Sequence, residues 1–210
     1  MSEYKLYGMA ESGHTYKVAL MLELMGADWQ AEFVDFFNGE TRTEKYRTEL
    51  NAMGEVPVLI VDGQKMTQSG VIMDYLAEKH NQFGGNTADE KREILRWVLY
   101  DNHKLSALIG PYRFMKFIKD MPDNDVTAFL KGRFEDALSI LDKHLTDKDW
   151  VVLNRPTLAD FSLCSYLYFG DEWGFDAEKY TNIVKWLDNL KGLKGWKHPY
   201  DLLPKGLNKG

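Results

Sequence analysis

Hydrophobic and polar positions change rhythm along this 210-residue chain, and the changes mark its elements. A short apolar run, Tyr4 to Tyr7, predicts a first strand. From Thr15 to Met25 the apolar residues Val18, Met21, Leu22 and Met25 recur at i, i+3, i+4 and i+7. That spacing predicts a helix with Lys17 and Glu23 on its outer face, stopped at Gly26. Trp29 to Phe36 predicts a second strand, and Thr43 to Leu50 a polar helix. The β-branched run Val56-Pro57-Val58-Leu59-Ile60-Val61 ends at the turn pair Asp62-Gly63, with Lys65-Met66-Thr67 as the return strand of a hairpin. Ser69 then opens a helix whose apolar face is Val71, Ile72, Tyr75 and Leu76, ending near His80.

The next stretch, Asn81 to Thr87 with Gly84-Gly85, has no period and reads as a linker. Beyond it the rhythm is helical. Thr87 to about Lys119 predicts one long or broken helix. Asp123 to His144 predicts a second, with Leu130, Phe134, Leu138, Leu141 and Leu145 in phase. Thr157 to Phe169 is a third, and a fourth carries Ile183, Trp186, Leu187 and Leu190. Only Trp150 to Leu153 is ambiguous between strand and loop. The expected organisation is an α/β domain over 1–80, a linker over 81–88 and an all-α domain over 89–210.

Composition narrows the class of function. With 44% hydrophobic residues the chain can bury a substantial core. Its net charge of -6, with Lys and Arg scattered, argues against a nucleic-acid partner. The opening residues Met1-Ser2-Glu3-Tyr4-Lys5 lack the basic and apolar regions of an export signal, and Glu23 interrupts the apolar stretch from Val18 to Met25. No membrane association is expected. One cysteine, Cys164, excludes an intramolecular disulfide and any Cys-x-x-Cys motif, and a cytoplasmic location is expected.

Four separated motifs carry a resemblance to a known family. Leu6-Tyr7 followed by Ser12 and Val18 is similar to the first strand, serine loop and first helix of the serine-type cytosolic glutathione transferases (theta, delta, zeta, tau). Asn51-Ala52-Met53-Gly54-Glu55-Val56-Pro57-Val58-Leu59 resembles the family's Asn-Pro-x-Gly-x-Val-Pro-x-Leu. Gln68-Ser69-Gly70-Val71-Ile72-Met73-Asp74-Tyr75-Leu76 resembles its Glu-Ser-x-x-Ile-x-x-Tyr-Leu, and Pro156-Thr157-Leu158-Ala159-Asp160 its Thr-x-Ala-Asp helix start. The resemblance spans nearly the whole chain. It implies a thioredoxin-like N-terminal domain that binds glutathione, an all-helical C-terminal domain, and a homodimer. Three positions depart from the pattern. Ala52 replaces proline, Glu55 stands where a basic or amide residue is common, and Gln68 replaces glutamate.

The resemblance also assigns roles. Val56-Pro57 would carry a cis peptide that turns the Val56 N–H and C=O outward to pair with an extended tripeptide; the alternative is a proline that merely starts an edge strand. Ser69, at a helix start, would receive the γ-glutamyl carboxylate, and Gln68 would meet the same group through its amide. A plain helix cap is the alternative for Ser69. The Ser12 hydroxyl would donate a hydrogen bond to the glutathione sulfur and favour the thiolate; otherwise it only caps the first helix. Tyr7 is the rival donor. Arg42 would hold the glycyl carboxylate, or is simply a surface arginine. Asp101 would reach glutathione across a dimer interface. Tyr100, His103, Tyr112, Arg113 and Phe117 would line the second-substrate pocket, although such aromatic stripes also build cores. No His, Cys or acid pair has metal-ligand spacing, so no metal is expected, and Cys164 reads as a small buried hydrophobe.

The expected activity is attack of the glutathione thiolate on a small apolar electrophile. The alternatives are a glutathione-dependent isomerase, dehalogenase or ether-cleaving enzyme, and a non-catalytic glutathione- or ligand-binding protein. Zeta-type isomerases have a Ser-Ser-Cys loop where this chain has Ser12-Gly13-His14, which counts against that variant.

Overall fold

A computed structural model describes residues 3–207. The chain divides into two compact units: one takes in everything up to Gln82 together with the chain from Leu193 onward, and the other is Phe83–Gly192. The sequence pattern had placed residues 193–210 with the helices. Of these, residues 193–207 belong with the α/β unit instead, because the backbone of Gly206 and Leu207 is hydrogen-bonded to the loop before its first helix.

The first unit begins with β1 (Tyr4–Gly8), α1 (Gly13–Met25), β2 (Trp29–Phe33) and the short α2 (Glu44–Glu49). It continues with β3 (Val58–Val61), β4 (Gln64–Thr67) and α3 (Ser69–His80). The strands form one mixed sheet in the order β2-β1-β3-β4. β2 runs parallel to β1, and β3 antiparallel to it, so Leu6 sits opposite both Ala31 and Leu59. The β3–β4 hairpin turns on Asp62 and Gly63, both at positive φ (50° and 74°), the backbone a two-residue hairpin with matching twist requires. Leu6, Val58, Leu59, Ile72 and Leu76 are buried in its core, each worth roughly 1.5–3 kcal/mol of apolar transfer.

Two helical faces differ from the reading by period. In α3 the buried residues are Ile72, Met73, Leu76 and Ala77, while Val71 is exposed. In α1 every residue from Thr15 to Leu22 is buried, and Lys17, expected on the outer face, is 0% exposed. A second cover contributes. The short helix after Gly192 packs on α1, and the Tyr16 hydroxyl donates to the Lys197 carbonyl at 2.9 Å. A helix buried on both sides shows no polar stripe.

The second unit starts with α4 (Ala88–Tyr100), opened by a reciprocal capping box between Thr87 and Glu90. It runs through a π-helical turn, Asp101–Leu105, into α5 (Ser106–Arg113) and a second π-helical turn, Phe114–Ile118. The predicted long helix is therefore continuous but twice rephased. Then come α6 (Asp125–His144), α7 (Leu158–Cys164), the one-turn α8 (Gly170–Trp173) and α9 (Thr181–Lys191). In the first unit, α10 (Pro199–Leu202) is the helix that lies on α1. Trp150 to Leu153 is irregular, not a strand, because the Val151 N–H donates to the Asp160 carboxylate at 2.9 Å. Among the described residues no helix is long and apolar enough to cross a membrane.

Candidate functional site

The site builds on the loop between β1 and α1. Gly8 closes β1 where a Cβ would run into the Thr15 side chain, so only glycine lets the first turn of α1 approach the strand so closely. The loop folds back through the Ser12 N–H, which donates to the Met9 carbonyl at 3.2 Å. Ser12 then caps α1: its hydroxyl oxygen accepts from the Thr15 N–H at 3.1 Å, and the side chain is 8% exposed. A serine hydroxyl has two acceptor sites and one proton, so the cap leaves that proton to be donated elsewhere. Tyr7 lies inside the sheet, in register with Glu32 and Val58. Burial, reinforced by Glu32, holds its phenol above the ordinary value.

The Val56-Pro57 peptide bond is cis. The segment leading to it is pinned from two sides: the Tyr46 hydroxyl and the Asn51 side-chain amide both donate to the Glu55 carbonyl at 2.9 Å. Burial pushes the Tyr46 phenol up to about 12, so it stays a donor at any ordinary pH. Gln68 precedes α3 at φ 68°, an uncommon backbone for a residue with a side chain. Its amide donates to the Glu55 carboxylate at 3.0 Å. Two of the three departures from the family pattern are thus in contact with one another.

Ser69, 6% exposed, is the first residue of α3. His14, in the first turn of α1, brings its Nδ1 within 3.4 Å of the Ser69 oxygen. Helix starts carry free N–H groups and the positive end of the dipole, and here two of them stand side by side. His14 had drawn no attention as a site residue. Nothing in local pattern marks it, since its neighbour lies 55 positions away.

Arg42 is exposed and folded back against Gly39. A second cation, Arg47 on α2, lies beside the pinned segment: its guanidinium nitrogens stand 3.2 Å from the place a Cβ on Gly54 would occupy. Sequence reasoning passed over Arg47 because it falls on the polar face of a short surface helix.

In the helical unit the expected residues separate. Asp101 is 1% exposed and accepts from the Ser106 hydroxyl at 2.8 Å and the Ser162 hydroxyl at 2.6 Å, so it is committed to internal packing and not to a surface that meets a second subunit. Arg113 is buried in an ion pair with Glu172 and lies 4.0 Å from the Phe169 ring centroid. Tyr112 is buried edge-on to Phe134, and the Tyr100 hydroxyl donates to the Ala137 carbonyl at 3.0 Å. Burial pushes the Tyr100 phenol up to about 12. Tyr112 and Arg113 hold the unit together instead of lining an open surface. They follow the π-turn at Asp101–Leu105, where one added residue per turn rotates what comes after it away from the α-helical phase. His103, exposed, and Tyr100 and Phe117, both half-buried, retain accessible surface.

Comparison with known proteins agrees with this architecture. Residues 2–78 match the family model for the glutathione S-transferase N-terminal domain, and residues 107–193 the model for the glutathione S-transferase C-terminal domain. A glutathione S-transferase from Pseudomonas fluorescens superposes with a TM-score of 0.89 at 28% identity, over 95% of this chain and 100% of that one. A possible glutathione S-transferase from Rhodopseudomonas palustris gives a TM-score of 0.84 at 30% identity, over 94% and 98%. Among curated relatives, the maleylacetoacetate isomerase of Pseudomonas aeruginosa is 28% identical over 192 residues, 88% of this chain and 89% of that protein. With a family model on each half and a 30% identical structure covered almost end to end, this chain belongs to the glutathione S-transferase family.

Proposed function

We propose that the first unit binds glutathione and ionises its thiol for attack on a small apolar electrophile. The cysteinyl backbone would pair with the Val56 main chain as an added strand, with Pro57 shaping that edge. The γ-glutamyl carboxylate would sit at the start of α3 by Ser69, and Arg42 or Arg47 would face the glycyl carboxylate. The observation that carries the reading is the Ser12 cap: its oxygen accepts from Thr15, and its proton is left for a sulfur at the mouth of α1. A free thiol ionises near about 8.5, and a helix start with a good donor lowers that to about 7 or below. The thiolate then forms a C–S bond to the electrophile as the leaving group departs with its electron pair, and the thiol proton passes to solvent. Binding both partners in near-attack geometry is the second contribution. Tyr100, His103 and Phe117 are the second-substrate residues that retain open surface. No metal is needed for this chemistry, and we expect a cytoplasmic homodimer.

The test is a pH titration of bound glutathione by its ultraviolet thiolate band. Wild-type protein shows the band at neutral pH. Ser12→Ala loses it and turns over about 100-fold more slowly. Ser12→Asp restores the helix cap, worth about 1 kcal/mol of stability, but not the band, because a carboxylate has no proton to give. A wild-type chain that does not bind glutathione overturns the proposal. Similarity to a maleylacetoacetate isomerase favours a second reading, a glutathione-dependent cis–trans isomerase. A substrate panel of halides, epoxides, enones and a cis-enone diacid separates the two, since only the isomerase returns glutathione unconsumed.

A further inference from the structure

A loop joining a strand to a helix ordinarily lies on the surface. In this chain every residue from Gly8 to Gly13 is buried, and the segment beyond α10 lies against it. The Ala10 N–H donates to the Pro204 carbonyl at 2.8 Å. The Glu11 carboxylate, 3% exposed, accepts from the Gly206 N–H at 2.9 and 3.0 Å and from the Leu207 N–H at 2.7 Å. A carboxylate so deep is tolerable only with such donors, and charge strengthens each bond. Gly206 sits close to the Phe37 ring, with 3.2 Å from it to the place of a Cβ. Further back, Lys197 is tied to α1 through the Tyr16 hydroxyl and through Glu23, 2.6 Å from its ammonium.

Ser12 is the next residue after Glu11. Its own bonds, to Met9 and Thr15, are local and fix only its conformation relative to the start of α1. What fixes the loop against the rest of the unit is the strap. We propose that residues 203–207, latched by Glu11, are a positioning device that aims the Ser12 hydroxyl at the sulfur of bound glutathione. This presupposes the role given to Ser12 above. Glu11 acts through Ser12 and is a positioning residue. The glutathione backbone subsites at Val56 and Ser69 lie on other elements, so releasing the latch impairs ionisation of the thiol while leaving affinity nearly intact.

Wild type and two variants decide it, Glu11→Gln and a chain ending at Lys205, which loses the N–H groups of Gly206 and Leu207, together with the combination of the two. In both variants the bound thiol is expected to titrate about one pKa unit higher than in wild type. Turnover at neutral pH falls about tenfold, with the KM for glutathione changed less than about twofold. The combined variant is no worse than either alone, because both remove the same contact. Loss of fold stability alone would not shift the thiol titration. Should the shortened chain fail to fold, Leu207→Pro removes one donor without changing chain length and carries the same readout. A folded variant whose bound thiol titrates as in wild type overturns the latch. Wild-type protein that binds glutathione without ionising it instead overturns the Ser12 reading, and the latch with it.

Discussion

Glu55 and Gln68 lie 13 positions apart, and each breaks the family pattern in a way that looks damaging by itself. In the proposed site Gln68 would lack the negative charge that a glutamate would offer the γ-glutamyl ammonium, and Glu55 would add one beside an anionic peptide. In the folded unit the Gln68 amide donates to the Glu55 carboxylate, so position 55 would supply the charge missing at position 68. Among the described residues no cation pairs with Glu55. Glu55→Gln is therefore expected to raise the KM for glutathione about two- to fivefold, the range of an exposed ion pair. It should leave binding of glutaryl-cysteinylglycine, which lacks the ammonium, unchanged. Adding Gln68→Glu should restore the loss, as steady-state kinetics with both peptides will report. At this scale the Ser12 cap, the helix start at Ser69 and the cis bond at Val56-Pro57 were legible because each belongs to a short local motif. Asp101 and Arg113 were not, because what surrounds them comes from far along the chain. Asp101 is held by Ser162, and Arg113 by Glu172.

The elements of the helical unit depend on a few such buried polar groups. Asp160 in the first turn of α7 accepts from the Val151 N–H, the Thr157 N–H and hydroxyl, and the Trp186 indole, so one carboxylate joins α7 to α9 and to the segment before it. Asp160→Ala strands four donors and is expected to cost about 3 kcal/mol in chemical denaturation, with Asp160→Asn in between. His144, near the end of α6, is packed against Trp97 and hydrogen-bonded to the Val151 carbonyl at 2.7 Å. Burial holds its imidazole below the ordinary value, helped by Lys148 and Arg96 and opposed by the Val151 bond and Glu93. The unfolded chain takes up the proton first, at about 6.5. His144 thus contributes stability that is full above that value and is lost as pH falls toward the folded one. The thermal midpoint should drop between about pH 7 and 5, and His144→Gln should flatten the slope. The longer helices of this unit were readable from period, as with Phe134, Leu138 and Leu141 in α6, whereas the one-turn α8 was not. Phase after Asp101 was not, since a π-turn leaves no mark in a pattern read at 3.6 residues per turn.

For the molecule as a whole, the strap changes what counts as the first unit. Residues 1–82 alone lack the partners of Tyr16 and Glu11, and would leave a carboxylate that is 3% exposed in the whole chain without the N–H groups that bind it. They are expected to show little cooperative unfolding by circular dichroism, whereas the same residues joined through a flexible linker from Gln82 to Leu193 should unfold in one transition. The boundary near residue 82 could be read from the linker, but ownership of the tail could not, because no periodic pattern says which surface a short irregular segment will cover. Vectorial synthesis gives this arrangement a further consequence. The ribosome makes the glutathione-binding half first, yet the piece that closes over its serine loop emerges only after the entire helical unit. The nascent chain must therefore carry an open α1 through most of translation, and the later-made helices can finish folding before the half that preceded them.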